Sequence, residues 1–168
     1  MADLTLAVGA GALKTTIVCT AALYVKYLAC LVAQAGKSFP ASARAPEDKV
    51  FDSDKTREQK WGKDTSGLSS EEIEADARWR RIVGNDVESI PFGVIVMWGT
   101  LLKNGSNLVH QRATISYTLA RYFHTLLYIN KIPVPRFLSW IVGHLSVLTL
   151  LWNSLRSVDV PVIGTKNQ

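Results

Sequence analysis

Cysteine is scarce in this chain, and its scarcity removes several chemistries. Among 168 residues there are two, Cys19 and Cys30. Neither stands in a CxxC or Cys/His spacing, so neither a zinc site nor a disulfide framework is expected, and no metal is expected at all. Both read as small buried thiols. No glycine-rich phosphate loop occurs. The net charge is +5, yet Lys and Arg do not alternate with aromatics along a stripe, so nucleic acid is not an expected partner. No repeat or low-complexity tract is present.

What is present is segregation. Nearly half the chain is apolar and a fifth is charged, and the charges crowd residues 36–81 while the apolar residues form long runs. A soluble globule would spread charge over every helix. The pattern predicts an all-α integral membrane protein of one domain, 1–168, with a bundle of four helices over about 4–35, 71–102, 107–129 and 137–155. The first run is too long for a signal peptide and has no basic region before it. Its Lys14 and Lys26 lie toward its ends, where long stems are expected to snorkel to headgroups. The fourth run, Phe137–Leu155, carries no full charge over ~19 residues, about a bilayer span.

Residues 36–70 read as a mobile polar loop. Asn104-Gly105 reads as a tight turn, which makes helices two and three antiparallel neighbours. Pro133 and Pro135 mark the turn before helix four. Lys37, Arg44, Lys49, Lys55, Arg57, Lys60, Lys63, Arg78, Arg80, Arg81, Lys131 and Arg136 share one side. Lys103, Arg112, Arg156 and Lys166 lie on the other. The long loop is therefore expected on the cytosolic side and both termini opposite.

Two helices carry chemistry. In helix two, Arg78, Arg81, Asn85 and Glu88 are spaced i, i+3, i+7, i+10 and fall within an arc of roughly 80°. Glu88 lies about 10 Å deeper than Arg81, where a carboxylate is costly without a partner. In helix three, Tyr117, Arg121, His124 and Tyr128 repeat the device at i, i+4, i+7, i+11. Taken singly, the helix-end arginines read as headgroup anchors, His124 as an interior histidine and Tyr128 as a belt aromatic. Taken together, two arginine faces with few local acids require an anion. Guanidinium suits carboxylate. Glu88 asks for a ligand ammonium, and Asn85 for a peptide amide. Carboxylates, an ammonium and amides on one molecule describe glutathione.

The run R81-x-x-x-N85-D86-x-E88-x-I90-P91-F92 resembles the helix-two signature of the MAPEG family, the membrane-associated proteins of eicosanoid and glutathione metabolism. K37-S-F39 followed by P46-E47-D48 is similar to that family's first loop, and R121-x-x-H124-T125-x-x-Y128 to its helix-three motif. The likeness covers most of residues 20–155. It resembles the microsomal glutathione transferase and prostaglandin E synthase branch more than the leukotriene C synthase branch. It implies a homotrimer with glutathione between subunits near the cytosolic face. By position it implies that Arg78, Arg81, Asn85, Glu88, Arg121, His124 and Tyr128 bind glutathione, and that Asp48 is the family's acidic loop residue. It implies an arginine that activates the thiol after helix three. Arg136 fills that place eight residues past Tyr128, where the family has nine. The sequence departs elsewhere too. Gly84 stands for a basic residue, Ala33 for an arginine, one residue is missing between Glu88 and Pro91, and Phe137 stands for the serine of prostaglandin E synthases.

The activity expected is that of a glutathione transferase or peroxidase. Arg136, then Arg121, stabilises the glutathione thiolate for attack on a lipophilic co-substrate that enters from membrane lipid between helices one and four. The cysteines take no part. An eicosanoid isomerase, a non-catalytic lipid-binding scaffold and a proton pathway through Glu88, His124 and His144 are the alternatives. Endoplasmic reticulum is the family's default location, with the mitochondrial outer membrane as the other.

Overall fold

A computed structural model describes residues 9–102 and 105–157. The proposed start of helix one at Leu4, Lys103, Asn104 and Lys166 lie outside the described residues. Four helices account for most of the rest: α1 (Ala10–Ser38), α2 (Ser70–Leu101), α3 (Asn107–Ile129) and α4 (Pro133–Leu155). The bounds of α3 match expectation, and α2 differs by one residue at each end.

Two bounds differ for physical reasons. The expected end of helix one at 35 moves to Ser38, because the Ser38 hydroxyl bonds back to the Gln34 carbonyl and across to Asp76 at 2.7 Å. The expected turn at Pro133 and Pro135 is instead the first turn of α4. Proline suits a first helical turn, where its missing N–H would have had no partner and its φ is already helical. At the other end of the chain, α2 starts on a full capping box. Ser69 accepts from the Glu72 amide, and the Glu72 carboxylate accepts from the Ser69 amide.

The helices pack around a ring. α1 touches α2 and α3, α4 touches α3 and α2, and α1 and α4 make no contact among the described residues. α2 and α3 run antiparallel across the centre, as the pairs Tyr117–Ser89 and Arg121–Asn85 require.

Along α1, α3, α4 and the second half of α2 the exposed side chains are mostly apolar, whereas the first half of α2 exposes Glu71, Glu74, Arg80 and Arg81. On α3 Ile115, Leu119, Phe123 and Leu126 are exposed, while His110, Thr114, Tyr117, Arg121 and His124 are buried. That is the reverse of a soluble helix, and so extended an apolar surface calls for a cover. By length and composition two helices, α1 and α4, suffice to cross a membrane. α2 and α3 fall short of that test, since polar residues are spread along more of their length.

α1 buries a seam of Ala12, Thr16, Cys19, Leu23, Lys26 and Cys30. The alternating steps of four and three are the spacing by which one helix keeps a single face against its neighbours. At mid-length Leu23, Met97, Tyr117, Val147 and Leu150 form the apolar core. Gly93 is required there. A Cβ at that position would lie 2.3 Å from the Tyr117 hydroxyl, which is held by a bond to the Ser89 carbonyl at 2.6 Å.

The loop from Phe39 to Ser69 has local structure of its own. It contains a short 3-10 helix, Pro46–Phe51. Gln59 is its keystone, donating to Asp52 at 2.7 Å and to the Phe39 carbonyl at 3.1 Å, and accepting from the Arg44 amide. Arg80 ties the loop to α2 through the Ala43 carbonyl.

Candidate functional site

The site is built where α2 and α3 cross. Asn85 and Asp86 are adjacent on α2, so their side chains point about 100° apart. Asn85 faces α3 and α4, while Asp86 faces α1. Lys26, expected to snorkel outward from α1, does the opposite. It is buried and grips Asp86 with both carboxylate oxygens, at 2.5 and 2.7 Å. The reason is its place in the α1 seam: a cation there has no path to water and needs an anion in contact.

From the other side, the Arg121 Nη2 donates to Asp86 at 3.0 Å and to the Asn85 side-chain oxygen at 2.6 Å, and reaches the Asn85 carbonyl at 3.3 Å. Its Nε is buried with no partner. Arginine carries five N–H donors, so Arg121 is tied through one nitrogen and keeps donors in reserve. Two cations and one anion make this buried cluster positive by one charge.

Arg121 opens onto a cavity of about 400 Å³ between α2, α3 and α4. Asn85 and Glu88 form its polar end, and Phe92, Trp140, Val147 and Leu148 form an apolar wall. His144 also lines it, with Nδ1 2.9 Å from the Trp140 carbonyl and its ring 4.0 Å from the indole. Glu88 is exposed and has no ion-pair partner among the described residues.

The remaining expected residues are spread along the loop end of the molecule. His124 is buried against Tyr128, ring centroids 5.9 Å apart. The Arg136 guanidinium lies over the Tyr128 ring at 4.3 Å, a cation–π contact. Arg78 pairs with Glu74 one turn back on α2. Arg81 is exposed. Asp48 pairs with Arg44 at 3.0 Å inside the loop. Asn85, Glu88 and Arg121 are therefore brought to one cavity. His124, Tyr128 and Arg136 form a second group, and Arg78, Arg81 and Asp48 stand apart from both within one chain.

Sequence reasoning missed Lys26 and gave Asp86 no role. Each was a lone charge inside an apolar run, and two opposite lone charges on neighbouring helices are a signal for a buried pair. The steps of four and three along α1 also place Lys26 on the buried face.

Helices that are apolar outward and carry ion pairs within define a helical membrane protein with a polar interior. The chain belongs to the MAPEG family, whose model matches residues 15–156. It matches no curated protein. Membership suggests a membrane-bound glutathione transferase or an eicosanoid-related function, and proteins of this family generally use glutathione.

Proposed function

We propose that this protein is a membrane-bound glutathione transferase or peroxidase, a four-helix transmembrane bundle that works as a homotrimer with its long loop in the cytosol. The observation that carries the reading is the Arg121 cavity. A buried guanidinium with an unpartnered Nε faces it beside Asn85 and Glu88. These groups match a carboxylate, a peptide amide and an ammonium in turn. The apolar wall of Phe92, Trp140 and Val147 adjoins them, as a lipophilic co-substrate needs.

In this reading glutathione supplies the nucleophile. Its free thiol has a pKa near that of cysteine, about 8.5, so only a small part is ionised at neutral pH. A guanidinium beside the sulfur favours the thiolate. The thiolate sulfur attacks an electrophilic carbon and the leaving group departs with the bonding pair. With a hydroperoxide, it attacks the terminal oxygen, the S–O bond forms as the O–O bond breaks, and the alkoxide leaves as an alcohol once protonated; the resulting glutathione sulfenic acid condenses with a second glutathione to the disulfide and water. Arg136 is the residue proposed beside the sulfur, with Arg121 holding a carboxylate. In this reading the co-substrate enters between α1 and α4 where these helices of neighbouring subunits meet. Neighbouring subunits could also bring the Arg136 group and the loop residues Asp48, Arg78 and Arg81 to the same glutathione.

Calorimetric titration of the purified protein with glutathione tests the reading. Binding in the wild type that weakens in Glu88→Gln supports it, and a wild type that does not bind overturns it. In Arg136→Ala the ultraviolet absorbance of bound thiolate should fall at neutral pH and return as pH is raised. Unchanged absorbance would move the thiolate role to Arg121. The double variant Cys19→Ala, Cys30→Ala should keep its conjugation activity, since both thiols are buried in the α1 seam.

A further inference from the structure

We propose that Lys26 and Asp86 are positioning residues, a buried latch that holds Arg121 in place while leaving its charge available to an anion; the proposal rests on the reading of the Arg121 cavity as the glutathione site. Asp86 does not line that cavity. It lines a separate one of about 340 Å³ between α1 and α2, with Tyr24 and Tyr27. Lys26 lines neither. Whatever the pair does for a ligand beside Arg121, it does through Arg121.

Two features of the geometry define that action. First, Asp86 holds Arg121 by Nη2 alone, together with Asn85, and this fixes one end of the guanidinium while Nε stays unpartnered. Second, Asp86 is already neutralised. Lys26 contacts both its oxygens, at 2.5 and 2.7 Å, closer than Arg121 at 3.0 Å. Were Lys26 absent, Asp86 and Arg121 would form a neutral pair in a low-dielectric interior, and the guanidinium would offer little to an incoming carboxylate. The lysine spends the carboxylate's charge so that the arginine keeps its own. A plain structural ion pair would need only one cation for Asp86.

The test uses the full-length protein in nanodiscs. Lys26→Met leaves Asp86 paired with Arg121, so the fold keeps a satisfied carboxylate. It should weaken glutathione binding about tenfold, the worth of one charge-assisted hydrogen bond, although Lys26 lies outside the cavity. The loss should vanish in an Arg121→Met background, because the effect passes through Arg121. It should also vanish with a glutathione monoester that lacks the carboxylate bound by Arg121. A loss that persists in that background, or no loss at all, overturns the latch.

A second readout does not depend on glutathione. In spectra of protein labelled with 15N-arginine, the Arg121 side-chain signal, identified by its absence in Arg121→Lys, should show restricted rotation in the wild type. It should become mobile in the apolar replacement Lys26→Met, Asp86→Leu, which removes the pair and leaves Arg121 held by Asn85 alone. An unchanged signal there overturns the latch even if the wild type binds no glutathione. A wild type that binds no glutathione, with the signal mobilised as expected, removes the glutathione reading and leaves the latch standing.

Discussion

Two of the buried polar clusters between the helices lie about ten residues of α1 apart, roughly 15 Å at the helical rise, and they differ in kind. Toward the loop lies the ionic cluster of Lys26, Asp86, Arg121 and Asn85. Toward the opposite end lies a neutral one. The Thr16 hydroxyl donates to the Ala12 carbonyl and meets the His110 Nε2 at 2.9 Å. The neutral pair satisfies itself and lines neither the Arg121 cavity nor the one beside Asp86, so its contacts serve to hold α1 to α3. The ionic cluster is left with an excess charge and an unpartnered donor at a cavity. A polar interior becomes a site when its groups are left incompletely satisfied in a definite direction, and not because it is polar.

The largest expected effect falls on Asp86. Asp86→Asn leaves Lys26 and Arg121 facing each other without an anion and should cost about 3–5 kcal/mol of stability. The joint replacement Lys26→Met, Asp86→Leu should recover part of that loss, because Lys26 is no longer stranded while Arg121 still lacks its anion. Thermal unfolding in detergent checks both, and a mild effect of Asp86→Asn would mean that the ionic cluster is no more demanding than the neutral one.

Next comes Arg121→Met, expected to weaken glutathione binding ten- to a hundredfold, about 1.5–3 kcal/mol. Thr16→Val combined with His110→Leu should leave that affinity unchanged, as titration of both variants would reveal. Equal losses in the two would erase the distinction between the clusters.

Between them sits Gly93. Gly93→Ala drives a methyl into the Tyr117 hydroxyl and should cost about 1–3 kcal/mol. Its effect should appear in stability before it appears in binding, since Tyr117 is held by the Ser89 carbonyl and not by a ligand. The neutral pair is worth less, and Thr16→Val alone should cost about 1 kcal/mol.

The smallest effect lies in the loop. The Ser66 hydroxyl and amide, then Lys60, donate to Asp64 and pull its pKa from 3.8 to about 2. Its folded value lies below its unfolded one. Its contribution is therefore complete above about pH 3.8 and is lost as pH falls through about 2. Asp64→Asn should differ slightly from wild type at neutral pH, and the two melting temperatures should converge on acidification over that window.

Much of this could be read without coordinates. Helical periods of 3.6 and the apolar run of α4 are local signals, and they placed the helices to within a few residues. The shared face of Asn85, Glu88 and, across the turn, Arg121 was legible for the same reason: residues three and four apart on a helix must lie together. The internal contacts of the loop were not legible, because Gln59 reaches Asp52, Phe39 and Arg44, pairings that composition does not reveal.

Which residues make chemistry available was thus decided by the order of side chains along each helix, since helical geometry converts spacing into a face. What each charge does was decided only by the packing of one helix on another. Lys26 looks like a snorkelling lysine until α1 presses its seam against α2. Asp86 looks like one more polar residue of a motif until it stands between Lys26 and Arg121. The worth of a charge depends on the dielectric around it and on the partner within about 3 Å, and only the tertiary structure sets those two quantities.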